Sequence, residues 1–545
     1  MKEMAMKVWN GGLDRPHDVV VVGSGAGGLT AALTAATSGA AVAVLDKGPY
    51  IGGTTAVSGG MIWIPSNLRM QEQGIADSDD AALRYLERVA GGRTPMDQLR
   101  AIVEFGRVMQ AFVEAESPLR FSTLPGFPDY HPDWDGAHGG GRSMEADLFD
   151  ASSMGDLFDA LRPDHRPPFT MAEYEEWRIF TRFPWEELQH RASQGFVARG
   201  RALIAPLLQA CVEAGVTVIT DLAVERLIGS SETGVLGVRT SAGEIRCETV
   251  ILACGGFEWN LEMCAQFLAG EVRGSCSPPH NTGDGIRMAS ALGAKLGNMT
   301  EAWWGPMVQL PEDVTDGAPT STLLRFERTG PHSIMVDRHG RRFLNEAHNY
   351  NDVTKVLHAF DPRDYGPVHL PVHLVFDQHH LEEYGFLSHR AGQATPGWLI
   401  EAPTIAELAR RIGIDADALH ETVERFNTFA RRGEDPDWHR GENAYDRYWG
   451  DLEAPHPALG PVETGPFYAI EVFSGVIGTK GGVATNARGQ VIDVWDEPIR
   501  GLFATGNTTA HPMGVGYAGA GSTLGPAMTV GWLAAHTACG AVVRP

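Results

Sequence analysis

Asp18–Gly28 reads DVVVVGSGAGG. Four valines in a row, with no polar alternation, are the pattern of a strand buried on both faces in a parallel sheet. Gly23, Gly25 and Gly28 follow at once in the spacing G-x-G-x-x-G. The Ala-rich stretch Leu29–Ser38 predicts an amphipathic helix. Ala41–Leu45 (AVAVL) predicts a second strand, ending at Asp46. The three pieces make one β-α-β unit. Glycine keeps the first turn open and lets backbone N–H groups approach a pyrophosphate at the helix N-terminus. Asp46, eighteen residues beyond Gly28, stands where a ribose hydroxyl would be bound.

Further along, Gly200–Ala214 predicts an amphipathic helix, and Val216–Ile219 and Val250–Ala253 predict strands. Thr249–Phe257 (TVILACGGF) and Leu502–Asn507 (LFATGN) each run a strand into a glycine turn. The nucleotide-binding domain is therefore expected to come from separated pieces, interrupted between about 305 and 480. The stretch 130–195 has no clear periodicity and no element is assigned to it. A second glycine run, GVGYAGAGSTLG at 514–525, also contains G-x-G-x-x-G. Only 26 residues follow Gly519 and no second strand with an acid follows it, so it is not another dinucleotide fold.

The 545 residues carry 44 basic and 68 acidic side chains, a net charge of −24, which argues against nucleic acid as a partner. Sixty-five glycines in short clusters imply many tight turns and close backbone approaches to a ligand. The six cysteines show no C-x-x-C and no zinc spacing, so buried thiols in a reducing compartment and no metal are expected. Met1–Asn10 lacks a signal-peptide core, and no apolar run approaches the ~18 residues of a membrane span. A cytoplasmic protein with no transmembrane segment is the expectation.

Gly52–Gly60 (GGTTAVSGG), read with VGSGAGG before it and ATGN…GPAMT near the end, makes the chain resemble the FAD-dependent fumarate reductase/3-ketosteroid dehydrogenase superfamily over nearly its whole length. The resemblance implies an α/β fold. A Rossmann-like FAD-binding domain would be assembled from 1–305 and 479–545, with an inserted α+β catalytic or cap domain at 306–478. It implies FAD held non-covalently, with contacts at Gly23, Gly25, Ala26, Gly28, Asp46, Lys47, Gly53, Thr54, Thr55, Ser58, Gly59, Gly60 and Val224. The C-terminal contacts would be Gly506, Asn507, Thr523 and Leu524. A helix starting near Thr523 would aim its N–H groups at the flavin.

One position separates the branches of that superfamily. Arg341–Asp352 reads RRFLNEAHNYND. Fumarate reductases carry an arginine four residues past the glutamate, where this chain has Tyr350; ketosteroid dehydrogenases carry a tyrosine there, used as a base. Leu124–Tyr130 (LPGFPDY) resembles the segment supplying a second tyrosine, Tyr130. Tyr517–Gly521 (YAGAG) is similar to the Y-x-x-x-G pair that holds the ketone, although the family more often has proline than Ala518. The resemblance thus implies Tyr350 as base, Tyr130 as its hydrogen-bond donor, and Tyr517 with the Gly521 N–H on the ketone oxygen. Hydride would pass to the flavin. The activity implied is desaturation beside a ring ketone, foremost at the 1,2 position of a 3-ketosteroid. A smaller cyclic ketone such as a cyclohexanone is the alternative substrate, and the electron acceptor is not identified. A fumarate-type reductase and a flavoprotein without its own substrate are the competing readings; the latter leaves the three tyrosines and Gly521 without a purpose. Trp303-Trp304 fit a substrate wall or a core equally. His131, His138, His332, His348 and His511 are read as solvated or structural, and Gly139–Gly141 followed by Arg142-Ser143 as a loop.

Overall fold

The computed structural model describes residues 6–12 and 15–544. Its first sheet has seven strands, in the order Val8–Trp9, Thr217–Ile219, Val42–Leu45, Val19–Val22, Thr249–Leu252, Pro498–Ala504 and Gln490–Ile492. The five inner strands are parallel and the two edges antiparallel. Val19–Val22 is central, with the next strand in the chain on one side and Thr249–Leu252 on the other. The order reverses there, which opens a crevice at the carboxyl end of the strand, where the glycine loop begins. Met1–Ala5 of the polar tail lie outside the described residues; Val8–Trp9 is an edge strand.

The predicted helix after the glycine loop runs Ala26–Thr37, and it is not amphipathic: every residue from Ala26 to Ala35 is buried. The sheet covers one side, while Leu524–Ala538 and Arg199–Glu213 pack against the others. Small residues make that approach possible. A Cβ on Gly27 would lie 2.9 Å from the Ala527 carbonyl oxygen, and one on Gly531 would lie 2.5 Å from that of Gly27. Arg199–Glu213 is likewise buried over most of its surface and contains Pro206, so its predicted polar face is confined to its C-terminal end.

The second sheet is built round the long strand Phe467–Thr479. Its main path is Thr322–Leu323, Ala302–Val308, Phe467–Thr479, Val372–Asp377, Ser333–Val336, all antiparallel; Gly274–Ser275 and Ile400–Ala402 also pair with the long strand. Helix Tyr350–Val356 packs on Ala302–Val308. The segment left unassigned at 130–195 contributes Ser143–Ala146 to a three-stranded sheet, between Met61–Trp63 and Phe121–Thr123, and the short helices Met171–Trp177 and Trp185–Ser193. No helix among the described residues is long and apolar enough to cross a membrane. All six cysteines are free, three of them buried and three partly exposed.

Candidate active site

Two glycines of the first loop are demanded by the chain itself. Gly23 has φ +107°, and a Cβ there would lie 2.2 Å from the Ala253 carbonyl oxygen; one on Gly28 would lie 2.2 Å from that of Gly23. Gly25 differs, since its Cβ would touch only Thr55 Oγ1, at 3.5 Å. Space therefore remains in front of helix Ala26–Thr37, whose N-terminus has no side-chain cap. The Ala26 N–H donates to Thr55 Oγ1 at 3.2 Å, whereas the buried N–H groups of Gly27 and Gly28 have no acceptor among the described residues. Unpaired donors at an open helix N-terminus suit a phosphate group. Gly53, at φ +49° with nothing within 4 Å of its Cβ position, leaves the facing wall equally bare.

Three predicted tyrosines converge. The ring centroids of Tyr130 and Tyr350 are 5.6 Å apart, those of Tyr130 and Tyr517 5.0 Å, and those of Tyr350 and Tyr517 5.5 Å. The Tyr130 hydroxyl donates to that of Tyr350 at 3.1 Å. Tyr350 opens helix Tyr350–Val356, whose N-cap Asn349 accepts from the Asp352 N–H, fixing the entry of the chain. Tyr517 OH meets Thr523 Oγ1 at 2.9 Å. Beside it stands Gly521, at φ +94°, where a Cβ would lie 2.5 Å from Ile62 Cα, so only glycine fits. The Gly521 N–H is buried and has no acceptor among the described residues. A buried, unpaired N–H is rare unless a ligand takes it up. Burial pushes all three phenols above the ordinary value, Tyr130 and Tyr350 far above it.

Several side chains that the sequence did not point to hold this triangle together. Tyr85 OH donates to the Ala518 carbonyl at 2.6 Å and accepts from the His131 N–H at 3.2 Å, while the Tyr130 N–H bonds the same carbonyl at 2.9 Å. One carbonyl thus ties the Tyr130 segment to the Tyr517 segment. The Ala518 N–H is not used among the described residues, so the proline that the family favours at this position would forfeit no bond. Tyr445 packs 4.9 Å from Tyr130. Arg142, read as part of a loop, is buried and pairs with Asp77 at 2.7 Å and with Asp129, next to Tyr130, at 2.8 Å; Trp63 Nε1 donates to Asp129 at 2.8 Å. Lys480 lies 4.5 Å from the Trp303 ring centroid and donates to the Gly516 carbonyl at 2.7 Å. Burial pushes its ammonium down to about 7.

A family model described as "FAD binding domain" matches residues 18–524. The chain belongs to this FAD-binding family. It is 51% identical over 534 residues to 4-oxocyclohexanecarboxylate 2-dehydrogenase of Sinomonas cyclohexanicum, covering 96% of this chain and 93% of that one. It is 40% identical over 564 residues to 3-oxosteroid 1-dehydrogenase of Mycolicibacterium smegmatis, covering 95% and 96%. The fold matches the crystal structure of 3-ketosteroid delta1-dehydrogenase from Sterolibacterium denitrificans in complex with 1,4-androstadiene-3,17-dione, with a TM-score of 0.89 and 35% identity over 96% of this chain and 99% of that one. The chain is an FAD-dependent oxidoreductase.

The remaining predicted residues of this FAD-binding chain sort by their partners. Asp46 accepts from the N–H groups of Ser24 at 3.0 Å and Gly48 at 2.9 Å, so it braces the glycine turn from the second strand. Lys47 pairs with Asp284 at 2.5 Å. Thr54 Oγ1 accepts from Asn281 at 3.0 Å, Ser58 Oγ accepts from the Gly60 N–H at 3.0 Å, and a Cβ on Gly60 would strike the Arg199 backbone. Gly59 sits exposed between them. Asn507 Oδ1, beside Gly506, accepts from Trp303 Nε1 at 3.0 Å. Thr523 and Leu524 open the C-terminal helix as expected. Val224 begins the strand Val224–Ser230 and is buried in a core shared with Val22 and Leu45. Trp303 packs 4.6 Å from Tyr517, whereas Trp304 faces away, 4.4 Å from His358. Arg342 is turned from the site, bound to Glu346 at 2.7 Å and Asp435 at 2.8 Å. His131 stacks on Trp134 and lies 3.3 Å from Asp352; His348 lies 3.8 Å from the same carboxylate. His138 and His332 meet backbone carbonyls, and His511 contacts that of Thr523 at 3.4 Å.

Proposed function

We propose that this enzyme desaturates the carbon–carbon bond next to a ring ketone, on a monocyclic ketone carrying a carboxylate. The observation that carries the reaction is the triangle of buried phenols, with Tyr130 donating to Tyr350 at 3.1 Å. A carbon alpha to a ketone loses a proton because the charge spreads onto oxygen. Tyr350 takes that proton. The Tyr517 hydroxyl and the unpaired Gly521 N–H receive the developing oxyanion, and each such donor is worth about 10²–10³ in rate. The chemistry FAD supplies when bound is acceptance of two electrons, as hydride from the neighbouring carbon. Gly23, Gly25, Ala26, Gly28, Asp46, Gly53–Thr55 and Ser58–Gly60 would hold its nucleotide half, and Gly506, Asn507, Thr523 and Leu524 its ring end.

The substrate class rests on the relative that shares 51% of its residues with this chain. A 3-ketosteroid is the second reading, supported by the 40% relative and by the close fold match to a steroid-bound enzyme. Both rings present the same ketone to the same donors, so a substrate panel decides. Under anaerobic conditions 4-oxocyclohexanecarboxylate should bleach the flavin fastest, cyclohexanone more slowly and androstenedione least. Fast bleaching by androstenedione alone would reverse the assignment.

A further inference from the structure

Three metal-ligating side chains meet on the two segments that carry the hydrogen-bonded phenols. His131 follows Tyr130 in the chain, and His348 and Asp352 stand on either side of Tyr350. His131 Nε2 lies 3.3 Å from Asp352 Oδ2, and His348 Nε2 lies 3.8 Å from the same oxygen. One ligand atom from each of the three residues lies within 4.8 Å of the other two. Zinc bonds of ~2.0–2.1 Å in a tetrahedron place neighbouring ligand atoms about 3.3–3.4 Å apart, so two of the three separations are already within about half an ångström of that geometry.

The ligands are held in place from outside the cluster. The His131 ring stacks on Trp134 at 3.8 Å, with the planes 8° apart. Its backbone N–H donates to Tyr85 OH at 3.2 Å. Asn349 Nδ2 donates to Asp352 Oδ2 at 3.1 Å and Asn351 Nδ2 to Oδ1 at 2.9 Å, which fixes the carboxylate and leaves Oδ2 a second lone pair. Such supporting hydrogen bonds are what orients the ligands of a metal site. Neither imidazole makes a ring hydrogen bond among the described residues, so their nitrogens gather round one carboxylate oxygen without being aimed at it. His131 is buried whereas His348 and Asp352 are partly exposed, which gives an ion a way in from solvent. Arg88 lies 4.0 Å from the Trp134 ring centroid, and its charge works against the cation. Two imidazoles and one carboxylate select a first-row transition ion over Mg²⁺ or Ca²⁺, which take oxygen ligands. No zinc spacing shows in the sequence because His131 and His348 are far apart along the chain.

We propose that His131, His348 and Asp352 form a binding site for a divalent transition-metal ion of the Zn²⁺ class, which clasps the Tyr130 segment to the helix that opens with Tyr350. The site is independent of which ring ketone is the substrate.

The test uses holoenzyme freed of adventitious metal with a chelator and titrated calorimetrically with Zn²⁺. One equivalent should bind at micromolar concentration and raise Tm. His348→Ala, at a partly exposed position, and Asp352→Asn, which keeps the shape of the side chain, should each raise Kd by at least the roughly 10–100-fold that loss of even a supporting hydrogen bond costs. Neither variant should gain Tm from the same Zn²⁺ concentration, while the flavin spectrum shows that both are folded. Co²⁺ in place of Zn²⁺ should give visible bands beyond those of oxidised flavin in the wild type and not in His348→Ala. Absence of a one-equivalent phase at micromolar Zn²⁺ overturns the site. Binding or a Tm gain of wild-type size in His348→Ala overturns it too, whatever Asp352→Asn does, because the ion would then be held by other side chains.

Discussion

At an ordinary phenol value of ~10, about one tyrosine in a thousand is ionised at pH 7, a cost of about 4 kcal/mol for using it as a base. Burial pushes Tyr350 well above that value, and the surrounding phenols add to the rise. The hydrogen bond with Tyr130 adds to that rise in the resting enzyme, whereas on a phenolate the Tyr130 hydroxyl, 3.1 Å from the Tyr350 oxygen, would be a donor that stabilises it. The sign for activity follows directly. The proposed base must be deprotonated, and its ordinary state is protonated, so kcat/KM should climb through neutral pH and keep climbing beyond pH 9. Tyr350→Phe should abolish desaturation by several orders of magnitude and also stop exchange of the substrate's alpha hydrogens with deuterated water. Exchange needs only proton removal, so it separates loss of the base from loss of electron transfer. Tyr130→Phe should be milder and move the rising limb to still higher pH. Brisk alpha exchange by Tyr350→Phe at pH 7 would remove Tyr350 from the role.

Between residue and molecule stands the segment from Pro512 to Thr523, which has no regular structure and carries both Tyr517 and Gly521. Its shape is set from outside. Lys355 donates to the Val515 carbonyl at 2.6 Å and Lys480 to that of Gly516 at 2.7 Å, from a helix and from a strand end on the second sheet. Lys480 also lies over Trp303, whose other contacts include Tyr517. On the proposed mechanism Lys480 is a positioning residue acting through Tyr517. Lys480→Met should lower kcat about tenfold with the flavin spectrum retained. The same change made in Tyr517→Phe should cost little more, because the group it aims is already gone; equal losses in both backgrounds would mean general loosening of the fold. These contacts mark the limit of what the sequence discloses. The β-α-β unit was legible because strand, glycine turn and acid are neighbours in the chain. Tyr350, Tyr130 and Tyr517 were legible only through motifs shared with a family. Tyr85 reaches Ala518 across 433 residues, and Lys480 reaches the loop across 36, so no local pattern announces either. The elements of 130–195 are too short for a period, and their burial comes from surfaces that other segments supply.

At the scale of the whole molecule the buried titratable groups set a limit on stability in alkali. Tyr85, Tyr130, Tyr350 and Tyr448 are all held well above the ordinary phenol value by burial, and the thiols of Cys211, Cys254 and Cys264 are pushed up to about 12. Each keeps its proton in the native chain at a pH where the unfolded chain has lost it. A group raised in this way contributes fully below its unfolded value and loses its contribution as pH rises past it, at about 1.4 kcal/mol per pH unit. Lys480 acts in the opposite sense. Its native value of about 7 lies below the ordinary lysine value, so its contribution grows between about pH 7 and 10 and is then complete. The two trends meet: through Lys480 stability should rise from about pH 7 to about pH 9 and then fall steeply as thiols and phenols act together. The urea midpoint should be lower at pH 10.5 than at pH 8. The phenolate absorbance of the buried tyrosines should rise late and in one step, together with loss of helical circular dichroism, because they ionise only when the chain opens; the exposed Tyr365 lies outside this step. A smooth, reversible titration of all eleven tyrosines near pH 10 with the native dichroism intact would contradict this. It would mean that water reaches the phenol triangle in the resting enzyme, and the barrier against which the proposed base works would be smaller than its burial implies.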